Sequence, residues 1–263
     1  ESHIPKIDDL AMRARIAWEY PLDSTTLLDG VNQVRPGSVE VWKLVDGVPR
    51  LTSSCRYECQ IVEPSKNWND PEGLLQTFVS SVQDRLMADV PVGIVLSGGL
   101  DSSMVAAVAH EAAEAAGKPV PACWTVAEDE ENPDWKAAEL VASSLDLQHH
   151  QHVLEPESFH SRLPDLAWHG EDLDVTVLFF QPLFAEMSKS VTVGLCGQGA
   201  DELHAGYPRY RDLSSHATQI QSRLTDLKCD LSSLDDERWW STNHQPQHHC
   251  KSLTDFLQFE LDH

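Results

Sequence analysis

From residue 71 onward, short apolar runs alternate with stretches whose apolar positions recur at helical spacing. Pro71 to Met87 sets Leu74, Leu75, Phe78, Val79, Val82 and Leu86 on one helical face, with Pro71 suited to a first turn. Val92 to Leu96 is a mostly apolar run of the kind a buried parallel strand needs. A helix opens near Asp101-Ser102-Ser103, runs through Ala116 and ends at Gly117. Pro121 to Val126 reads as a second strand, and Asn132-Pro133-Asp134 starts a helix that continues through Leu145. Gln151 to Leu154 reads as a third strand. Glu157 to Trp168 and Val175 to Ser188 are helical, the second nearly apolar, and Val191 to Cys196 is a fourth strand. This alternation predicts an α/β fold, a parallel sheet flanked by helices. Such sheets bind ligands beyond the carboxyl ends of their strands, a rule that puts Ser97, Val126 and Gly197 along one rim.

The two ends read differently. Residues 1–60 are a few β-type runs, among them a hairpin in which Val39 to Leu44 alternates, turns at Asp46-Gly47 and returns at Val48 to Leu51. The hairpin is too small to stand alone and predicts the last part of a β-rich domain. Residues 61–70 read as a linker, and 71–263 as the main domain. Residues 213–263 carry weaker patterns: Asp226 to Arg238 is charged, and Phe256 to Leu261 is one face of a helix.

Composition narrows the function. Hydrophobic content of 41% and charged content of 23% are those of a soluble globular protein, and no apolar run approaches a membrane span. The expected location is cytoplasmic, with no membrane partner. A formal charge of −23 argues against nonspecific nucleic-acid binding. Six cysteines, with only Cys55 and Cys59 close together, read as thiols in a reduced compartment. His149, His150 and His152 read as solvated or nucleotide-adjacent surface. His244, His248, His249 and Cys250 resemble a zinc-ligand set but sit in a low-hydrophobicity stretch without regular periodicity, which favours a non-metal reading, and the Trp239-Trp240 pair reads as packing surface.

Candidate chemistry sits in the first glycine turn, Ser97-Gly98-Gly99-Leu100-Asp101-Ser102-Ser103. Strand, glycine turn and helix amino terminus gather backbone N–H groups around an anion. Gly98 and Gly99 let the backbone approach a phosphate, and Ser97, Ser102 and Ser103 add hydroxyls. No Lys precedes the serine pair, so this is not the commoner phosphate loop. Asp101 suits a place beside phosphate when a cation lies between them, which points to Mg-bound pyrophosphate. A second glycine turn, Gly197-Gln198-Gly199-Ala200-Asp201-Glu202, follows the fourth strand. Its acidic pair complements a helix dipole when taken alone. Taken with Asp101 on the same rim, it makes Asp101 and Asp201 the candidate metal ligands of a Mg–ATP site.

SGGLDSS, preceded by Arg85 to Gly93, resembles the synthetase domain of glutamine-hydrolysing asparagine synthetases. So do NPDWKAAELVASSL at 132–145, Asp174-Val175-Thr176 and GQGADELHAGYPRY, in order and at the family's spacing over roughly residues 15–212. TTLLDGVNQVRPGS resembles the closing part of that family's glutaminase domain. The resemblance implies a PP-loop ATP pyrophosphatase fold of the adenine nucleotide alpha hydrolase type. It implies that 1–60 is the remnant of an N-terminal nucleophile-type glutaminase domain, and that the synthetase domain is incomplete at its C-terminal end. It further implies ATP and Mg2+, a carboxylate substrate (aspartate first), ammonia derived from glutamine, and an acyl-adenylate formed with release of pyrophosphate. By the same resemblance Leu96, Val126, Cys196 and Gly197 match positions that hold ATP. Ser97, Gly98, Gly99, Asp101, Ser102 and Ser103 match the pyrophosphate loop. Asp101 and Asp201 match Mg ligands, and Glu202 matches an acidic residue near the adenylate.

Three departures from the family pattern stand out. Gln198 occupies a position where asparagine synthetases usually have Glu, and Gln cannot take a proton from an ammonium nucleophile. No cysteine lies where a glutaminase nucleophile would be, and no late Lys matches the one that stabilises departing pyrophosphate. Two other readings therefore stay open. One is a related adenylating amide, lactam or peptide cyclase using another amine. The other is a non-catalytic nucleotide-binding paralogue. A homodimer is an open expectation.

Overall fold

The computed structural model describes residues 6–22, 24–35, 37–56, 70–155, 161–170, 177–229 and 258. The chain divides into two compact units. Unit 1 comprises Glu1–Glu63, Glu171–Asp174 and Tyr207–His263, and unit 2 comprises Pro64–Gly170 and Val175–Gly206.

Unit 1 opens with helix α1, Asp9–Trp18. Asp8 caps it by accepting from the N–H groups of Leu10 and Ala11 at 3.1 and 3.0 Å. The β-type reading of residues 1–60 missed this helix, because its buried stripe is made of small residues, Ala11, Ala14 and Ala17, ending in Trp18. Those alanines let it close on a second helix of the same unit, Leu213–Asp226 (α8 below), through Ala217, Ile220 and Leu224. Arg223 ties the pair by donating to the Ala17 carbonyl at 3.0 Å and pairing with Glu19 at 2.9 Å. The same unit holds the hairpin of β1, Ser38–Val45, and β2, Val48–Arg56, in antiparallel register from Val45↔Val48 to Ser38↔Arg56. Asp46 and Gly47 both have positive φ, 53° and 78°, as a two-residue type I′ turn demands. Val41, Trp42, Leu44, Val48 and Leu51 are all exposed on it.

Among its described residues, unit 2 is a four-stranded parallel sheet with helices on both faces. Its elements are α2, Pro71–Arg85; β3, Val92–Val95; α3, Leu100–Ala115; β4, Cys123–Ala127; α4, Pro133–Ser144; and β5, His149–Val153. They continue with α5, Leu163–Gly170; α6, Val177–Met187; β6, Val193–Leu195; and α7, Ala200–His204. After the unit, a 3-10 turn at Pro208–Arg211 leads into α8, Leu213–Asp226. The third strand begins two residues earlier than the pattern predicts, because His149 and His150 continue the ladder opposite Cys123 and Trp124. The sequence reading left α8 without an element, and the predicted helix over 256–261 lies outside the described residues apart from Gln258. His244, His248, His249, Cys250 and the Trp239-Trp240 pair also lie outside them.

Strand order is β5-β4-β3-β6, all parallel. Alternate residues supply the two faces of the sheet. Ile94, Leu96 and Cys123 meet Val105, Ala106 and Ala109 of α3 and Ala138 and Ala142 of α4. On the other face Trp124, with Val95 and Val126 beside it, meets Leu183 and Met187 of α6. Helix α2 joins the first core by Val82, with Phe78 and Leu86 beside it, while Leu74 and Leu75 at its start are exposed. Helix α3 stops at Gly117, φ +62°, with the Gly117 N–H bonded to Glu114 and the Lys118 N–H to Ala113. That is the double hydrogen bond of a glycine-terminated helix. The chain steps outward from β3 through β4 to β5, then returns to β6 on the opposite side of β3. The carboxyl ends of β3 and β6 therefore flank the switch point, where open α/β sheets bind ligands.

Candidate active site

Both glycine turns leave the sheet at this switch point. β3 delivers Leu96, only 1% exposed, and then Ser97 to Gly99. The loop is stitched by its own serines. The Ser97 N–H donates to Ser102 Oγ at 3.2 Å, the two hydroxyls lie 3.0 Å apart, and the Gly99 N–H reaches Ser97 Oγ at 3.4 Å. Ser102 is buried and its Oγ lies 3.3 Å from the Gly99 carbonyl. Ser97 and Ser102 thus shape the turn in this structure, while the Ser103 hydroxyl is buried and has no hydrogen-bond partner among the described residues. Helix α3 begins with Gly99 as its cap, and among the described residues its first N–H groups make no side-chain cap hydrogen bond. Those donors and the Ser103 hydroxyl are what an anion at the turn would satisfy.

Glycines decide how closely the parts meet. Gly98 has φ +75°, and a Cβ there would run into the backbone of Ala137 and Ala138 in α4. The turn is therefore pressed onto the helix made by the 132–145 motif, which Asn132 caps by accepting from Asp134 and Trp135 N–H at 2.8 and 3.3 Å. At Gly99 the nearest atom to an added Cβ is Ser97 Oγ at 3.4 Å, so the outer side of the turn is open. Gly197 brings the second turn against the first: its Cβ would lie 2.8 Å from both Asp101 Cβ and the Ser102 nitrogen. Gly199, φ +96°, then opens α7, whose first turn holds Asp201 and Glu202. Asp201 is half-buried and its carboxylate lies over Gly206, where a Cβ would strike Oδ1. The Gly206 N–H also closes onto the Asp201 carbonyl at 2.9 Å. Cys196, Gln198 and Glu202 are exposed, and Asp101 is half-buried in the first turn of α3.

The structure therefore brings Ser97, Gly98, Gly99, Asp101, Ser102 and Ser103 into one turn, with Gly197 directly against Asp101. It sets Asp201 on the adjoining turn, with Leu96 and Val126 at the ends of neighbouring parallel strands. Sequence reasoning missed Thr125, 2% exposed, whose hydroxyl donates to the Leu96 carbonyl at 2.6 Å. The signal available was a hydroxyl inside an otherwise apolar strand. It also gave no role to Gly206, which sets the place of the Asp201 carboxylate.

The donor set fits a polyphosphate with Mg2+. An open glycine turn, an orphaned buried hydroxyl and a bare helix start suit the anion. Among the described residues, no three His, Cys, Asp or Glu side chains gather to hold a metal. Mg2+ takes one or two carboxylates together with substrate phosphates, so Asp101 and Asp201 would hold it and the ion would supply charge neutralisation of the phosphates. Among the described residues no helix is long and apolar enough to cross a membrane.

The chain is 29% identical over 210 residues to asparagine synthetase [glutamine-hydrolyzing] 1 of Bacillus subtilis (strain 168), covering 79% of this chain and 32% of the relative. It is 37% identical over 149 residues to the asparagine synthetase [glutamine-hydrolyzing] of Asparagus officinalis, covering 52% and 25%. For asparagine synthetase [glutamine-hydrolyzing] 2 of Lotus japonicus the identity is 36% over 170 residues, covering 60% and 29%. The chain thus spans about a quarter to a third of the length of the curated relatives it matches. Among solved structures, the NH3-dependent NAD synthetase from Campylobacter jejuni aligns with a TM-score of 0.39 at 16% identity, covering 73% of this chain and 93% of that one. The Asparagine synthase family model matches residues 73–259, which contain both glycine turns and the parallel sheet, and the chain belongs to that family.

Proposed function

We propose that this chain carries the adenylating half of an ATP- and Mg-dependent amide-forming ligase of the asparagine synthetase type. One observation carries the reading: the two glycine turns, each leading into a helix with a carboxylate in its first turn, abut at Gly197 and Asp101 beside the sheet's switch point. In this reading a substrate carboxylate oxygen attacks the α-phosphorus of ATP, and the bond to the bridging oxygen breaks with its electron pair leaving on pyrophosphate. The open turn at Gly98-Gly99, the first N–H groups of α3 and the Ser103 hydroxyl bind the departing pyrophosphate. Asp101 and Asp201 would hold a Mg2+, which when bound would supply charge neutralisation to the phosphates. Neutral ammonia then attacks the acyl carbon and AMP leaves. Aspartate is the first carboxylate to test, with glutamine as the ammonia source of the whole protein.

Residues 1–60 are read as the closing part of a glutaminase-like domain, with a linker at 61–70 and the synthetase domain from 71. Exposed Val41, Trp42, Leu44 and Leu51 on the hairpin support that reading, since a hairpin inside a larger β domain would cover them. A cytoplasmic location is part of the same proposal. A second reading rests on Gln198, which is exposed on the second turn and carries no basic group. It keeps the adenylation and replaces ammonia by another amine.

Product analysis tests both. Incubation with ATP, Mg2+, aspartate and ammonium, followed by phosphorus NMR and amino-acid analysis, is expected to give AMP, pyrophosphate and asparagine in equal amounts. AMP and pyrophosphate from a different acid, without asparagine, would favour the second reading. ADP and phosphate as products would refute the adenylating chemistry.

A further inference from the structure

Thr125 is a buried hydroxyl between two partners, the Leu96 carbonyl at 2.6 Å and His149 Nε2 at 2.8 Å. A carbonyl only accepts, so the single Thr125 proton goes to Leu96. The Thr125 oxygen is then left to accept, and His149 must carry a proton on Nε2. Burial pushes the His149 imidazole below its ordinary range, with Glu139 opposing the shift and His150 adding to it. The ring is therefore neutral at pH 7, in the tautomer with Nδ1 bare. His150 stacks on Trp124 on the opposite face of the sheet, ring centroids 4.6 Å apart.

Leu96 occupies a decisive place. The β3–β4 register runs through Ile94↔Cys123 and Val95↔Trp124, so Leu96 is one residue past it and directly before Ser97. Its N–H still donates to the Trp124 carbonyl at 2.9 Å, while its carbonyl is held by a side chain. Both polar groups of Leu96 are pinned, and with them the direction in which the glycine turn leaves the sheet. We propose that Thr125, oriented by His149, is a positioning residue that fixes the exit of the Ser97–Ser103 turn and thereby its affinity for a nucleoside triphosphate. The proposal rests on the nucleotide reading above.

The test uses the full chain as wild type, Thr125→Val, Thr125→Ser and His149→Gln. Calorimetric titration with Mg–ATP is expected to show about tenfold weaker binding for Thr125→Val, the effect of a buried carbonyl losing its donor. Thr125→Ser restores the hydroxyl and is expected to bind as the wild type does. In kinetics the loss falls on KM for ATP and not on kcat, which a merely destabilising change would not produce. Nitrogen-15 spectra of the nucleotide-free protein are expected to show His149 protonated on Nε2, with the Ser97 and Gly98 amide signals shifted in Thr125→Val. His149→Gln keeps a donor and is expected to weaken binding less than Thr125→Val. The proposal is overturned if Thr125→Val binds Mg–ATP as tightly as wild type, if Thr125→Ser is as weak as Thr125→Val, or if the His149 proton sits on Nδ1. A wild type that binds no Mg–ATP would instead overturn the nucleotide reading. The two failures are distinguishable, because unmoved Ser97 and Gly98 amides in nucleotide-free Thr125→Val overturn the positioning role by themselves.

Discussion

Replacing Gly98 and Gly99 separately by alanine divides what holds the turn in place from what lets a phosphate approach it. At Gly98 two costs add. Its φ of +75° is a left-handed conformation that costs a side-chain-bearing residue about 1–2 kcal/mol. The new Cβ would also meet backbone atoms of Ala137 and Ala138, inside helix α4, which cannot swing aside as a side-chain tip can. Overpacking of this kind costs about 1–3 kcal/mol. Gly98→Ala is therefore expected to lose about 2–5 kcal/mol, a fall in melting temperature of roughly 4–20 °C for a chain of this size. Gly99 has neither problem: its φ is −66° and its nearest neighbour would be Ser97 Oγ at 3.4 Å. Gly99→Ala is expected to melt with the wild type and to lose about 1–3 kcal/mol of Mg–ATP affinity, because the methyl occupies the open side of the turn. Thermal melts read the first effect and calorimetric Mg–ATP titration the second. A Gly98→Ala protein as stable as wild type would refute the packing of the turn on α4. A Gly99→Ala protein that binds Mg–ATP normally would refute the placing of the phosphates.

Further outcomes follow from other contacts. Gly206→Ala must displace the Asp201 carboxylate, so Mg2+-dependent turnover is expected to fall at least tenfold with little change in stability; unchanged Mg2+ dependence would remove Asp201 from the metal site. His149 has a lowered folded pKa, so protonation favours the unfolded chain. Its contribution is full above its unfolded value, about 6.5, and is lost as pH falls below it. Denaturant titrations at pH 7 and pH 5 should therefore show a smaller acid loss in His149→Gln than in wild type. Burial pushes the Cys123 thiol up to about 11, whereas Cys196 is exposed on the second turn. A thiol reagent at neutral pH should label Cys196 and spare Cys123, and Mg–ATP should slow the labelling of Cys196.

Much of unit 2 is legible because its strands are apolar runs punctuated by glycine and its helices by caps. Val92 to Leu96, the start at Asn132-Pro133-Asp134 and the stop at Gly117 all follow from local chemistry. Ile94 and Leu96 against Val95 could be assigned to opposite faces from period two alone. Helix α1 was hidden because alanines mark its buried stripe and carry little hydrophobic signal. The partner α8 was hidden because Ala217, Ile220 and Leu224 lie among serines, threonines and glutamines. The third strand starts earlier than its apolar pattern because His149 and His150 read as polar surface, while Thr125 and Trp124 each give one of them a partner. In the site, the motif residues could be read as a set, but not their division of labour. Ser97 and Ser102 bond each other while the Ser103 hydroxyl has no partner among the described residues, a difference that depends on helix phase and not on residue type.

The proposed function requires the two turns together to bind Mg–ATP for adenylation of a carboxylate. Exchange of labelled pyrophosphate into ATP, with Mg2+ and aspartate and then a panel of other carboxylic acids, tests it directly. Acid-dependent exchange that vanishes in Asp101→Ala is the result predicted. Tight Mg–ATP binding with no exchange for any acid would contradict it, and would leave the chain a nucleotide-binding relative without the ligase chemistry.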